Sequence, residues 1–532
     1  MHSRRIHQAG ASVKLPAPAV ESSTSAPNRI VLTLLLAAAA GLRVWVANFQ
    51  PNMIWADEIY QVVEPAHRLV YGTGLIAWEY VVGMRSWIFP GAIAAALWLG
   101  RLFGSDPIFK LIPVQLFMVL ASLMPVGVAY RWGERLDGVR GGLIVGGFVA
   151  IWVDLLYFAP HPLSDVIAGD VLMAGLYAAL PLTTRPGITR LTVAGILFGL
   201  AFVLRVQLGP ALLVAAAFAC GRSAQAWRAL ILGGVMVLLA SGGLDWLTLG
   251  TPFQSIWLNV WLNIVKGVSS DYGTLPAVYF FIAPIFSWGL PLSILIVCQI
   301  AIGSRRFPAL FAVALTIFLT QSLVPHKEWR FIFPALPPLF TLCGLAVIQE
   351  IQDIGGQRKS PIFSNMFAMA AVLIWAGVSL AVALAPSYRP SWTFRNQFIE
   401  AFALAASQPG LCAVGLVNVL WIETPGSAAL PAGIPIYANR STEGARDRAG
   451  YNVAVSDGLV DLSRDHYRRV GCFSGSLNVK GEYQKTSCVW LRSGECVPGV
   501  AKAPPINWPP FFIDTHGKTR PDRIQSYHLR RS

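Results

Sequence analysis

The sequence predicts a polytopic α-helical membrane protein with a small C-terminal α/β or mostly β domain, and three observations carry that prediction. Mean hydropathy is +0.56, and only 13% of the 532 residues are charged. Eleven apolar runs approach the roughly 20 residues with which a helix crosses a bilayer. From about Pro386 those runs give way to short mixed segments between Gly, Pro and Ser turns.

Residues 1–28 carry Arg4, Arg5 and Lys14 among Ser, Ala and Pro, and read as a disordered cytoplasmic tail before a signal-anchor helix. Residues 29–385 form the membrane module. Its expected spans are about 30–49, 110–130, 141–158, 166–182, 191–206, 208–221, 229–247, 276–302, 307–324, 331–349 and 361–384. If each crosses once, Arg131, Arg135 and Arg140, then Arg185 and Arg190, Arg222 and Arg228, Arg305 and Arg306, and Arg358 and Lys359 all fall on the tail's side. The tail is then inside and the C-terminal part outside. This alternation requires Arg85 to Phe103 to stay in the first outer loop, 50–109, as an amphipathic or re-entrant helix.

Residues 386–532 form the expected extracytoplasmic domain. Strands are expected near Gly415–Ile422, Gly433–Ala438, Val453–Ser456 and Ser487–Leu491. Cys412, Cys472, Cys488 and Cys496 permit one or two disulfides there, with the pairing open. The formal charge of +14 is scattered between apolar runs, which suits orientation in a membrane and calls for no nucleic-acid partner. GxGxxG, Walker A, HExxH and paired CxxC motifs are absent and the eight histidines are dispersed, so neither cofactor nor metal is expected.

The polar residues of an otherwise apolar chain gather in a few places. The densest is Trp55–Pro90, just after the first run. If Asp57 opens a helix, Gln61, Glu64 and Arg68 share its face while Glu58 points about 100° away; a solvated interfacial helix would show the same stripe. His326, Lys327, Glu328 and Arg330 crowd an outer turn where a lipid phosphate could bind, as could ordinary interfacial anchors. Arg205 and Lys266 could add to that field. Asp245, and His161, Ser164 and Asp165, sit at outer ends of spans, where acids suggest function although Asp245 could equally cap a helix or pair with an arginine.

Asp57-Glu58, Gln61, Glu64, Ala66-His67, Tyr71-Gly72, Gly74, Trp78-Glu79, Gly83, Arg85-Ser86 and Pro90 together resemble the first-loop signature of glycosyltransferase family 22 in the GT-C superfamily. His326-Lys327-Glu328, Arg330-Phe331 and Pro334 resemble that family's HKE-x-RF-x-x-P motif, and Asp245 to Gly273 is similar to the loop after its middle spans. The resemblance covers about 45–350. It implies a GT-C bundle that moves mannose, with inversion, from a polyprenyl- or dolichyl-phosphate carrier to a lipid-linked glycan or glycolipid acceptor at the bilayer's outer face.

Asp57 is then the base and Glu58 its companion acid, with Glu58 and Glu79 on sugar hydroxyls or orienting Arg85. His326, Lys327, Arg330 and Arg205 would hold the donor phosphate; Gln61, Glu64, Trp78, Glu79, Arg85 and Asp245 would hold sugar or acceptor. One departure stands out: Trp55-Ala56 replaces the family's His-Pro, which bears on acceptor choice. A saccharide flippase, or a transferase of another sugar, is the competing expectation. Abundant Ala and the excess of Arg over Lys suit a bacterial inner membrane with a periplasmic site, with the endoplasmic reticulum as the alternative.

Overall fold

The computed structural model describes residues 26–49, 51–181, 186–358, 361–439, 448–476, 484–513 and 517–520; most of the expected N-terminal tail lies outside them. Five helices are long and apolar enough to cross a membrane: Asn28–Phe49, Pro107–Ile151, Ala224–Leu249, Trp329–Asp353 and Ser364–Leu384. The fourth is the centre of the bundle, because 89% of its apolar window is buried against 22–39% in the other four.

Of the eleven expected spans, several of them expected to be short, not all appear as separate long helices among the described residues. Several apolar runs form helices of only 10–17 residues, such as Ile188–Leu204 and Pro308–Leu323. Pro107–Ile151 merges two expected spans across a kink at Asp137 and Gly138, beside the basic residues Arg131, Arg135 and Arg140. The expected span 276–302 is broken at Gly289, whose φ of 86° separates Tyr279–Trp288 from Leu290–Arg306. Close helix contact replaces length in places: a Cβ on Gly195 would stand 1.9 Å from the Leu230 carbonyl oxygen, so Ile188–Leu204 meets Ala224–Leu249 backbone to backbone.

Within the first loop, Ile88–Arg101 has 14 residues, about 21 Å of helix and too short to span. It packs on the first part of Pro107–Ile151 and exposes Trp98, Leu99 and Leu102. Upstream, Ala56–Glu58 and Glu64–Tyr71 are joined by a π-helical turn, Ile59–Val63. Pro65 has no N–H to close an α-helical bond onto Gln61, and the wider turn resets the register. Glu64 thereby leaves the face that Asp57 and Gln61 share.

After the last long helix, Asn396–Ala406 lies against a five-stranded mixed sheet. Its strands are β1 (Val414–Val417), β2 (Ile436–Asn439), β3 (Val453–Asp457), β4 (Tyr467–Phe473) and β5 (Ser487–Arg492), in the order β2-β1-β3-β5-β4. β1 is parallel to β2 and β3, and β5 is antiparallel to β3 and β4. The helix buries Phe398, Ala401, Phe402 and Ala405, one stripe at helical spacing, on Val414, Leu416, Val453 and Val489. The sequence reading misses β4: its YRRVGCF is an edge strand with two exposed arginines.

Disulfides join Cys412 to Cys496 and, across β4 and β5, Cys472 to Cys488, leaving Cys220, Cys298 and Cys343 free. Alkylation of the unfolded, unreduced chain should modify three cysteines, and after reduction all seven; mass spectrometry reads the difference. Seven modified without reductant would contradict both bonds.

Candidate functional site

Arg330, in the 3₁₀ turn Trp329–Ala335 that leads into the central helix, gathers three carboxylates. Its Nη2 bonds Asp57, its Nε lies 2.5 Å from Glu328 Oε2, and its Nη1 lies 3.7 Å from Asp165. Arg205 follows the helix Ile188–Leu204 as its C-cap and reaches the other oxygen of Asp165 at 2.7 Å. The first loop, two short helices and the central helix thus converge on one buried charge cluster, near which a dry interior would amplify electrostatics. Trp55 stacks on Phe158 with ring centroids 5.2 Å apart, and the Arg330 guanidinium sits 5.9 Å from its ring. Where the resembled family carries histidine, this chain has an aromatic wall.

Two adjoining cavities meet at this cluster. The inner one, about 50 Å³, lies among the first-loop helices, Ser164, the bend at Arg205 to Gln207 and Asn259. The outer one, about 320 Å³, is bounded by Trp78, Glu79, Tyr272 and His326 and by Arg395 and Trp421 of the C-terminal unit. Asp57, Gln61, Arg85, Arg205 and Arg330 line both. Gln61 donates to Glu79 at 2.8 Å, and the Trp78 indole donates to the Tyr272 hydroxyl at 2.8 Å. Arg85 makes no hydrogen bond among the described residues, and its Nε is buried.

Four expected site residues point elsewhere. Glu64 is fully buried and accepts from the Leu75 N–H (2.5 Å), the Ser427 N–H and the Ser427 hydroxyl (3.1 Å). It clamps the first loop to the C-terminal unit, and a Cβ on Gly426 would intrude to 2.1 Å from its Oε1. Glu58 turns to His161 and lines neither cavity. Lys327 gives its ammonium to the carbonyls of Leu275 (3.0 Å) and Val324 (2.5 Å). Asp245 accepts from the Ser255 N–H (2.9 Å) and hydroxyl (2.6 Å), so it takes the capping role that burial of a polar group favours. His326 does line the outer cavity, donating from Nδ1 to the Gly273 carbonyl (2.9 Å) and meeting Glu328 through Nε2 (3.1 Å).

Electrostatics divide the carboxylates. Burial alone would raise Glu328, but Arg330 and His326 pull it down to about 2. Against its burial and the nearby Arg330 charge, the Glu328 carboxylate and the Gly273 carbonyl raise His326 from the ordinary imidazole value. Burial, then the nearby charge of Asp57, push Glu79 up to about 7. Because this acid is raised on folding, the folded protein keeps its proton while the unfolded chain ionises, and stability falls as pH climbs from about 4.5 to about 7. Glu79→Gln should therefore be neutral in stability near pH 5 and stabilising near pH 8, on the order of 1–3 kcal/mol. Thermal midpoints of the two proteins across that range check the slope; a constant difference would contradict it.

Sequence reasoning passed over three participants. Asp154 is fully buried in IWVDLLYF and accepts from the indoles of Trp152 (2.8 Å), Trp288 (3.0 Å) and Trp329 (3.0 Å) and from Tyr388 (3.2 Å). An acid inside an apolar run was the available signal. Arg395 and Trp421 carry no motif and enter the site only through the packing of the C-terminal unit on the first loop.

The chain is similar to known proteins in sequence and in fold. The Alg9-like mannosyltransferase family matches residues 32–402. GPI mannosyltransferase 3 of Yarrowia lipolytica is 28% identical over 422 residues, 76% of each chain. GPI alpha-1,2-mannosyltransferase 3 of Xenopus laevis is 25% identical over 59% of this chain and 60% of its own, so the chain spans less than two thirds of that relative. Alpha-1,2-mannosyltransferase Alg9 of Drosophila melanogaster is 24% identical over 72% of this chain and 66% of its own. In fold, the crystal structure of ArnT from Cupriavidus metallidurans bound to undecaprenyl phosphate superposes with a TM-score of 0.57 over 90% of this chain and 100% of that one, at 13% identity. With its family matched across most of its length and its polar motifs gathered at one buried cluster, this chain belongs to the Alg9-like mannosyltransferase family.

Proposed function

We propose that the protein transfers mannose, with inversion, from a polyprenyl- or dolichyl-phosphate carrier to a lipid-linked glycan. The observation that carries this reading is Asp57, held by Arg330 on the wall that the two cavities share. One cavity suits a donor reaching in from the bilayer and the other an acceptor glycan. The mannosyltransferase relatives and the undecaprenyl phosphate bound in the ArnT crystal structure support mannose and a lipid phosphate.

The acceptor hydroxyl attacks the anomeric carbon as the bond to the lipid phosphate breaks. Asp57 Oδ takes the hydroxyl proton, and the lipid phosphate leaves with one more negative charge than the diester carried. Asp57 needs only to be placed well, since a carboxylate can accept the proton late, as the new bond forms. Arg85, which makes no ion pair among the described residues, is positioned to meet the added phosphate charge, with Arg205 beside it already paired to Asp165. Lys327 is engaged by carbonyls and His326 and Arg330 by carboxylates, which shifts this role toward Arg85. Arg85→Gln should lower the transfer rate by about 10²–10³-fold, as loss of one positioned donor commonly does; an unchanged rate and donor KM would remove it from the phosphate site.

The two disulfides suit an oxidising compartment and so support an extracytoplasmic C-terminal unit. Composition favours the bacterial inner membrane with a periplasmic site, while the eukaryotic sources of the relatives fit the endoplasmic reticulum. Purified protein supplied with labelled polyprenyl-phosphate-mannose, the same carrier bearing other sugars, and membrane glycolipids tests the whole reading. Covalent labelling of a glycolipid only from the mannose donor is expected; label that crosses vesicles unattached would favour a flippase instead.

A further inference from the structure

The outer cavity is completed by chain that the matched family region does not reach. That region ends at residue 402, whereas Trp421, Ile422 and Asn507 line the cavity together with Arg395 near the region's end. Arg395 holds a left-handed backbone, φ 57° and ψ 19°, uncommon for a side chain of this size. Its N–H donates to Gln484 Oε1 at 3.0 Å, and one guanidinium N–H donates to the Ile422 carbonyl at 3.2 Å. The guanidinium carbon lies 5.3 Å from the Phe394 ring. Among the described residues no carboxylate forms an ion pair with it.

The other cavity cations differ in this respect. Arg330 is bonded to Asp57 and Glu328, Arg205 to Asp165 and His326 to Glu328. Arg85 also lacks a carboxylate, but it lies on the wall common to both cavities, whereas Arg395 lines the outer one alone. A half-buried guanidinium has given up hydration, and most of its N–H donors here are unspent. Their planar fork matches the oxygens of a phosphate or carboxylate. Beside it, Trp421 is fixed: its indole donates to the Pro505 carbonyl at 2.9 Å, and its ring meets Tyr60 edge-on at 4.4 Å. Glu423 and Glu58 act on the Arg395 charge from a distance without pairing with it, and an immobile aromatic wall next to such a cation suits a sugar ring that carries a negative charge.

We propose that Arg395 binds an anionic substituent of the glycan acceptor, a phosphodiester or carboxylate, so that the C-terminal unit selects charged acceptors over neutral ones. This rests on the transfer reading above. The donor's own phosphate offers the same chemistry, and steady-state kinetics separate the two sources. The full-length protein in nanodiscs would receive polyprenyl-phosphate-mannose and two mannose-terminated glycolipids that differ only by one phosphodiester.

The wild type should use the charged acceptor with the lower KM. Arg395→Gln should raise that KM by about 10–100-fold, the usual range for a hydrogen bond to a charged group, and leave the neutral acceptor's KM and the donor's KM unchanged. Arg395→Lys should recover part of the loss, which a merely structural role would not produce. Equal changes for both acceptors, a change in donor KM alone, or a wild type without preference would overturn the proposal. Transfer by the wild type to neither acceptor would instead count against the transfer reading, and the proposal would fall with it.

Discussion

Asp57→Asn should lower mannosyl transfer by about 10²–10⁴-fold, the range a positioned general base supplies. The substitution keeps the side chain's shape and removes its capacity to hold a proton. Arg330 is not left unpaired, because Glu328 remains bonded to its Nε and Asp165 lies 3.7 Å from its Nη1. The thermal midpoint should therefore move little while the initial rate of label transfer collapses, and donor KM should change far less than the rate. Asp57→Glu would keep the carboxylate but shift its oxygens by one methylene, with a smaller loss expected from misplacement. Full activity in the asparagine variant would sink the assignment of the base.

Asp154→Ala should cost stability on a comparable scale. Three indoles and one phenol from four different segments converge on this fully buried carboxylate. Alanine would strand four donors at once, two of them buried and two partly buried, and each unsatisfied buried donor costs about 1–3 kcal/mol. Because relaxation and water entry reduce the sum, a net loss of about 3–5 kcal/mol is expected. Trp329 precedes Arg330, so activity should fail together with folding, unlike the Asp57 variant. Asp154→Asn keeps one acceptor oxygen and should fall between the two. Thermal unfolding of the detergent-solubilised proteins reads the order; an alanine variant as stable as the wild type would show that the hub carries no load.

These contrasts mark how far the residues could be read alone. Trp55–Pro90 and His326–Arg330 are legible because polar residues inside an apolar chain are costly to bury and so stand out by type. Charge alternation leads to the expectation of a non-crossing segment from Arg85 to Phe103, and the structure forms a 14-residue helix, Ile88–Arg101, inside it. The helices depart from the expected spans where Gly289 breaks an apolar run and where Pro107–Ile151 joins two of them, since hydropathy measures greasiness and not helix boundaries. Glu64 was misplaced because an α-helical period was assumed through a π turn. Glu58 and Lys327 carry the right chemistry but are engaged by His161 and by backbone carbonyls.

What the sequence by itself determined is therefore the class of protein and the two motifs that meet: a membrane bundle with an acid-bearing first loop and a cation-bearing turn far along the chain. Only the tertiary structure decided which charges pair. It put Arg330 on Asp57, 273 residues away, left Arg85 and Arg395 without a direct ion pair among the described residues, and closed the outer cavity with Trp421 from the C-terminal unit. The physical reason is that burial penalises a charge according to its neighbours, and those neighbours come from segments that sequence spacing does not relate.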